Sequence, residues 1–176
     1  LLDVSVKIEK GLLVGVIGPN GAGKSTFIKA ILGFVRRDVG EVKILGVDAE
    51  KTRGLVAYVP QRGTVDWDYP VTVEQVAMMG RYGNIPWWRN PTAQDKRIVN
   101  ESLEMVRMTE FRKRQIAQLS GGQQQRVFMA RALAQGSEIL LLDEPFAGVD
   151  AATERAILDV LEQARASGRT LIVVHH

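Results

Sequence analysis

The chain has 176 residues, enough for one well-buried core at the usual ~100–200 residues per domain. Its 45% hydrophobic and 24% charged content is ordinary for a globular protein, and a net charge of +3 is too mild to require a nucleic-acid partner. The absence of cysteine excludes a disulfide framework and a thiolate metal site.

The opening "LLDVSVKIEK" lacks the arrangement of a signal peptide, and no apolar run approaches the ~18 residues needed to cross a bilayer. Any membrane role therefore passes through partners. The chain starts without Met and stops at "VVHH", so it reads as a fragment trimmed at both ends. "DVSVKI" and "LLVGVIG" read as strands, and a helical pattern follows over 24–35. Between the second strand and that helix stands "GPNGAGKS", residues 18–25, a full match to G-x-x-x-x-G-K-[ST]. Gly18, Gly21 and Gly23, with Pro19, Asn20 and Ala22 between them, let backbone N–H groups converge on phosphate oxygens at a helix N-terminus. Lys24 is expected against the β- and γ-phosphates, and the Ser25 hydroxyl on Mg²⁺.

"EVKIL" and "LVAYVP" are the next strand-like runs. The early runs alternate or are separated by short polar turns, which suits a small antiparallel layer. The basic clusters at 36–37 and 112–114 read as solvated faces or partner contacts. Between about 64 and 118 no convincing buried strand appears, and a helical pattern covers 92–108. Thr72 with Gln75 and Thr92 with Asp95 have the spacing of helix-start caps, so this stretch reads as a helical insertion.

"LSGGQ", residues 119–123, opens a helix over 121–135, with Ser120 placed as its N-cap and Gln123 three residues on. Gly121 and Gly122 weaken such a helix by ~1 kcal/mol each relative to Ala. Close approach of an anion to bare backbone would account for them. "ILLLDEP", 139–145, is an apolar strand that delivers Asp143 and Glu144 to the carboxyl edge of a sheet. Asp143 is the candidate Mg²⁺ carboxylate, and Glu144 the candidate general base that orients water for attack on the γ-phosphoryl group. In the helix over 151–166, Ala156, Ile157, Val160, Leu161 and Ala164 form one apolar stripe. "TLIVVHH" is a final strand. Continuously apolar strands alternating with helices give an α/β domain with a parallel sheet.

These motifs, taken in order, resemble those of an ATP-binding-cassette ATPase over practically the whole chain. The order is "GPNGAGKST" (Walker A, which adds Thr26), Gln61 in "YVPQR" (Q-loop), "LSGGQ" (signature), "ILLLDEP" (Walker B), "AGVD" (D-loop) and "VVHH" (H-loop). The resemblance implies a P-loop NTPase core, mostly parallel with a small antiparallel β layer, interrupted by an α-helical subdomain. The implied division is 1–63 and 119–176 for the core and 64–118 for the insertion. It further implies that Gln61 contacts Mg²⁺ or the attacking water, that Asp150 lies at a dimer interface, and that His176, rather than His175, reaches the γ-phosphate. Ser120, Gly121, Gly122 and Gln123 would then face ATP held by a second cassette, two chains sandwiching two nucleotides head to tail.

"YVPQRGTVDWDYPVTV" and "VVHH" look like the ATPases of bacterial importers for manganese, zinc or iron. The implied cofactors are ATP and Mg²⁺. The implied partners are a second ATPase subunit, transmembrane permease subunits and, indirectly, an extracytoplasmic substrate-binding protein, with no nucleic acid. The implied location is the cytoplasmic side of the cell membrane. Trp67, Trp87 and Trp88 fit either a docking surface for the membrane partner or the insertion's own small core. The family's adenine-stacking aromatic has no counterpart, since no Tyr, Phe or Trp precedes Walker A. The rival readings are a cassette protein of DNA repair or translation and an importer ATPase for another substrate; the compact insertion, without heptads or cysteine, speaks against the repair type.

Overall fold

The computed structural model describes residues 4–52, 54–65, 67 and 69–175. Four parallel strands lie in the order β1 (Leu13–Ile17), β6 (Thr170–His175), β5 (Ile139–Asp143) and β4 (Val56–Val59). The register aligns Ile17 with His175, Val174 with Asp143 and Leu142 with Val59. All four strands therefore end at one edge of the sheet, where the strand-to-helix connections of an α/β domain gather. β2 (Lys43–Ile44) and β3 (Val47–Asp48) make the small antiparallel layer.

The central strands are apolar on both sides because both faces are covered. Ala57, Val59, Leu140, Leu142, Leu171 and Val173 face one core, shared with α2 (Val73–Met79), α3 (Ala93–Met105), α4 (Gly121–Gln135) and α5 (Ala151–Ala166). Leu141, Ile172 and Val174 point the other way, against Ile28 of α1 (Lys24–Ile31). Ile157, Val160, Leu161 and Ala164 of the expected α5 stripe are buried. The edge strand β1 leaves Leu13 and Ile17 exposed.

Between 64 and 118 the described residues hold α2, α3 and short 3₁₀ turns, and no strand. Both helices pack on α4, which also touches β4, so α4 ties the helical layer to the sheet. Each of the three expected caps is a complete capping box: Thr72 with Gln75, Thr92 with Asp95, and Ser120 with Gln123. Arg81 joins the second of these at 3.0 Å from Asp95, itself buried, and also donates to the Ala134 carbonyl of α4.

Three expectations need correction. The described part of "DVSVKI", residues 4–8, forms no strand, because it makes no ladder with any of the described residues. α1 stops at Ile31 rather than 35: Gly33 turns left-handed at φ 72°, and the Phe34 amide reaches back to the Lys29 carbonyl. α3 ends at Met105 rather than 108, where Arg107 takes φ 56°.

Candidate functional site

The loop from Gly18 to Gly23 is already wrapped. Gly21 and Gly23 sit at φ 82° and 90°, a conformation that only glycine adopts without strain, and Gly23 directly precedes α1. Lys24 folds back over the loop and donates to the carbonyls of Gly18 at 2.6 Å and Pro19 at 2.9 Å. A cleft of about 210 Å³ opens above it, lined by Asn20, Gly21, Gly23, Lys24, Ser25, Thr26 and Glu144. The structure thus brings the phosphate loop and the candidate base to one cavity from motifs over a hundred positions apart.

β5 supplies the acids. Asp143 is buried, with the Ser25 hydroxyl at 3.4 Å from Oδ1 and the Tyr58 hydroxyl at 3.4 Å from Oδ2. Burial and the neighbouring carboxylate push the Tyr58 phenol up to about 12, so it stays a donor at every physiological pH. Glu144 follows in the left-handed region at φ 51°, held there by its amide donating to Val174 O and by the Ala147 amide donating to its carbonyl. The Gln61 amide nitrogen donates to Glu144 Oε2 at 2.7 Å. Gln61 lies two residues past the end of β4, so strands β4 and β5 carry this pair to the same end of the sheet.

The signature stands apart from this cleft; none of Ser120, Gly121, Gly122 or Gln123 lines it. Ser120 caps α4, while a Cβ at Gly121 would fall 2.8 Å from the Arg62 guanidinium carbon and one at Gly122 would fall 2.5 Å from Thr153 Cγ2. Within one chain the bare glycines therefore make room for Arg62 and Thr153, a use that the reading of the sequence missed. Asp150 caps α5, its carboxylate accepting from the Thr153 amide at 2.7 Å, and that bond holds the carboxyl below its usual range. His176 lies outside the described residues; His175 packs edge-on against Phe146.

Tyr58 and Arg62 are the residues near this site that sequence reasoning passed over. Tyr58 was within reach of a strand-period argument, since it lies on the α1 face of β4 beside the Asp143 strand. Of the three tryptophans, Trp67 packs on Phe128, whereas Trp87 and Trp88 are exposed and meet each other edge to face. No helix among the described residues is long and apolar enough to cross a membrane.

A family model described as ABC transporter matches residues 1–147. Among curated relatives, the manganese transport system ATP-binding protein MntB of Bacillus subtilis (strain 168) is 53% identical over all of this chain and 70% of its own length. The zinc transport system ATP-binding protein TroB of Treponema pallidum is 52% identical over all of this chain and 66% of its own. Among solved structures, the dimeric MJ0796, a bacterial ABC transporter cassette, superposes with TM-score 0.85 at 28% identity, over 99% of this chain and 78% of that one. A dimeric post-hydrolysis state of the MJ0796 cassette bound to ADP and Pi gives TM-score 0.82 at 30% identity, over the same shares.

Proposed function

The chain belongs to the ABC transporter family as an ATPase cassette, and from that premise we propose that it hydrolyses ATP to power import of a manganese, zinc or iron ion. The observation that carries this reading is the meeting of the phosphate loop and Glu144 in one cleft, with Asp143 bonded to Ser25 and Gln61 bonded to Glu144 behind its lining. The metal preference rests on the names of relatives about half identical to this chain. We assign the transported ion to other subunits, as cargo.

Residues of this chain have distinct tasks in that reaction. Backbone amides of Gly18 and of Asn20 to Thr26 cradle the phosphates, with Pro19 shaping the turn between them, and Lys24 exchanges its two carbonyl partners for phosphate oxygens. Glu144 accepts the proton of the attacking water, and Gln61, bonded to it at 2.7 Å, fixes which carboxylate oxygen faces the cleft. His176 is assigned to the γ-phosphate. Ser25 and Asp143, bonded to each other, would hold Mg²⁺ with the amide oxygen of Gln61, since hydroxyl, carboxylate and amide oxygens suit that ion. When bound, that ion neutralises charge on the β- and γ-phosphate oxygens.

Ser120, Gly121, Gly122 and Gln123, with Asp150, serve the nucleotide of a second cassette, so the active unit is a head-to-tail dimer. Their separation from the chain's own cleft supports this. The segment 64–118 is assigned as the helical subdomain that meets transmembrane permease subunits, and Trp87 and Trp88 as part of its docking surface. A peripheral position on the cytoplasmic side of the membrane follows, with an extracytoplasmic binding protein delivering the ion. Glu144→Gln is expected to keep ATP binding, because the amide oxygen can still accept from Gln61, and to reduce turnover at least a hundredfold, of the order assigned to a general base. Undiminished phosphate release by this variant removes Glu144 from the role of base.

A further inference from the structure

We propose that Arg62 is a positioning residue that locks the Q-loop onto the signature helix, so that Gln61 in one half-site and residues 120–123 in the other move as one unit. The inference rests on the assignment of these two motifs above and adds a physical link between them. Residues 61 and 62 are neighbours at the start of a 3₁₀ turn, Arg62–Thr64, and their side chains go to different places. Gln61 donates to Glu144, the base of the chain's own site. Arg62 Nε donates to Gln124 Oε1 at 3.1 Å, one residue beyond the signature.

Three features make this a built contact rather than a loose surface arginine. Gln124 is buried, and its Nε2 donates to the Ile116 carbonyl at 3.1 Å, which leaves its oxygen fixed toward Arg62. The guanidinium fills the space in which a side chain at residue 121 would stand, so the first signature glycine is shaped around it. The backbone of Arg62 is held as well, since Trp67 Nε1 donates to its carbonyl at 2.9 Å and the Trp67 indole packs 4.8 Å from Phe128. Gln124, Gly121 and Phe128 all belong to α4. A charged donor into a pre-oriented amide oxygen is a strong, directional bond.

The consequence is communication. When phosphate in one cleft draws Gln61 away from Glu144, the adjoining Arg62 transmits the shift to the turn that completes the other cleft. Two half-sites joined by one contact in this way share a coupling free energy in binding.

Wild type, Arg62→Ala, Gln124→Leu and the double variant, each in the chain as it stands, decide the matter. A fluorescent ATP analogue reports nucleotide binding to the phosphate loop, and phosphate release reports turnover. Arg62→Ala is expected to bind the analogue as wild type does and to lose kcat roughly tenfold, the size of one lost hydrogen bond to a charged group. Gln124→Leu loses a similar factor, and the double variant is no worse than either single, because both remove the same contact. Wild-type turnover by Arg62→Ala, or losses that multiply in the double variant, overturns the link. Wild-type protein that binds no ATP overturns the nucleotide-site assignment instead. In that event amide hydrogen exchange at 119–126 without nucleotide still tests the lock: faster exchange in Arg62→Ala supports it, and equal exchange overturns it.

Discussion

Gly80 ends α2 where a Cβ would overlap the Arg131 carbonyl and press within 3.1 Å of the Gln135 amide, both backbone atoms of α4. Gly83, three residues on, has open space around it. Gly80→Ala is therefore expected to force α2 off α4 at a cost of roughly 1–3 kcal/mol. At ~2–4 °C per kcal/mol for a domain of this size, thermal unfolding should fall by several degrees. Gly83→Ala should leave the midpoint unchanged, and equal midpoints for the two variants would show that helix contact is not what Gly80 protects. Nothing in the string "MMGRYGN" separates these glycines; only the packed helix pair does. The same holds for Gly121, whose neighbour Arg62 is fifty-nine positions away by subtraction, 121 − 62. Lys24 could be picked out because a phosphate loop has fixed spacing along the chain, and Asp143 and Glu144 because they end an apolar strand.

At the scale of elements, local chemistry was read most successfully. Thr72–Gln75, Thr92–Asp95 and Ser120–Gln123 each satisfy orphan amides within four residues, so sequence alone locates those helix starts. Ends and strands were harder. α1 yields to a left-handed glycine one turn early, and residues 4–8 look like a strand but pair with none among the described residues. The cap of α3 also does long-range work, because Asp95 binds Thr92 and Arg81 together. The Thr92 hydroxyl and amide, then Arg81, hold its carboxyl down to about 2. A carboxyl depressed on folding stabilises the protein above its unfolded pKa near 4, and that contribution fades as pH falls toward 2. Asp95→Asn should thus lower the urea midpoint at pH 7, and the gap to wild type should narrow as pH drops from 4 to 2. A gap independent of pH would mean that packing, not charge, is what Asp95 contributes.

For the whole molecule the decisive property, on the function proposed above, is that the chain contributes to two sites, since none of residues 120–123 lines the cleft over its own phosphate loop. The fold class could be read from the alternation of strands with helices and from apolar runs, since parallel strands covered on both faces leave continuous hydrophobic text such as "ILLLD" and "TLIVV". The link between the half-sites could not, because it runs through side chains whose direction a 3₁₀ turn decides. Ser120→Arg tests the dimer: the added bulk at the signature should leave ATP binding to the single chain intact and abolish the ATP-dependent increase in mass seen by light scattering. Ser120→Asn keeps a capping oxygen and controls for the ~1 kcal/mol that a lost N-cap removes. ATP-dependent dimers of Ser120→Arg would place the interface elsewhere.

The left-handed backbone at Glu144 sets two kinds of fitness against each other. A residue with a Cβ is strained by about 1–2 kcal/mol at φ 51°, and glycine would relieve it. A mutant library sorted for heat tolerance alone would therefore tend to enrich glycine at 144 and discard the carboxylate. Sorting for turnover would do the reverse. Thermostability engineering of this cassette has to leave position 144 out of its search.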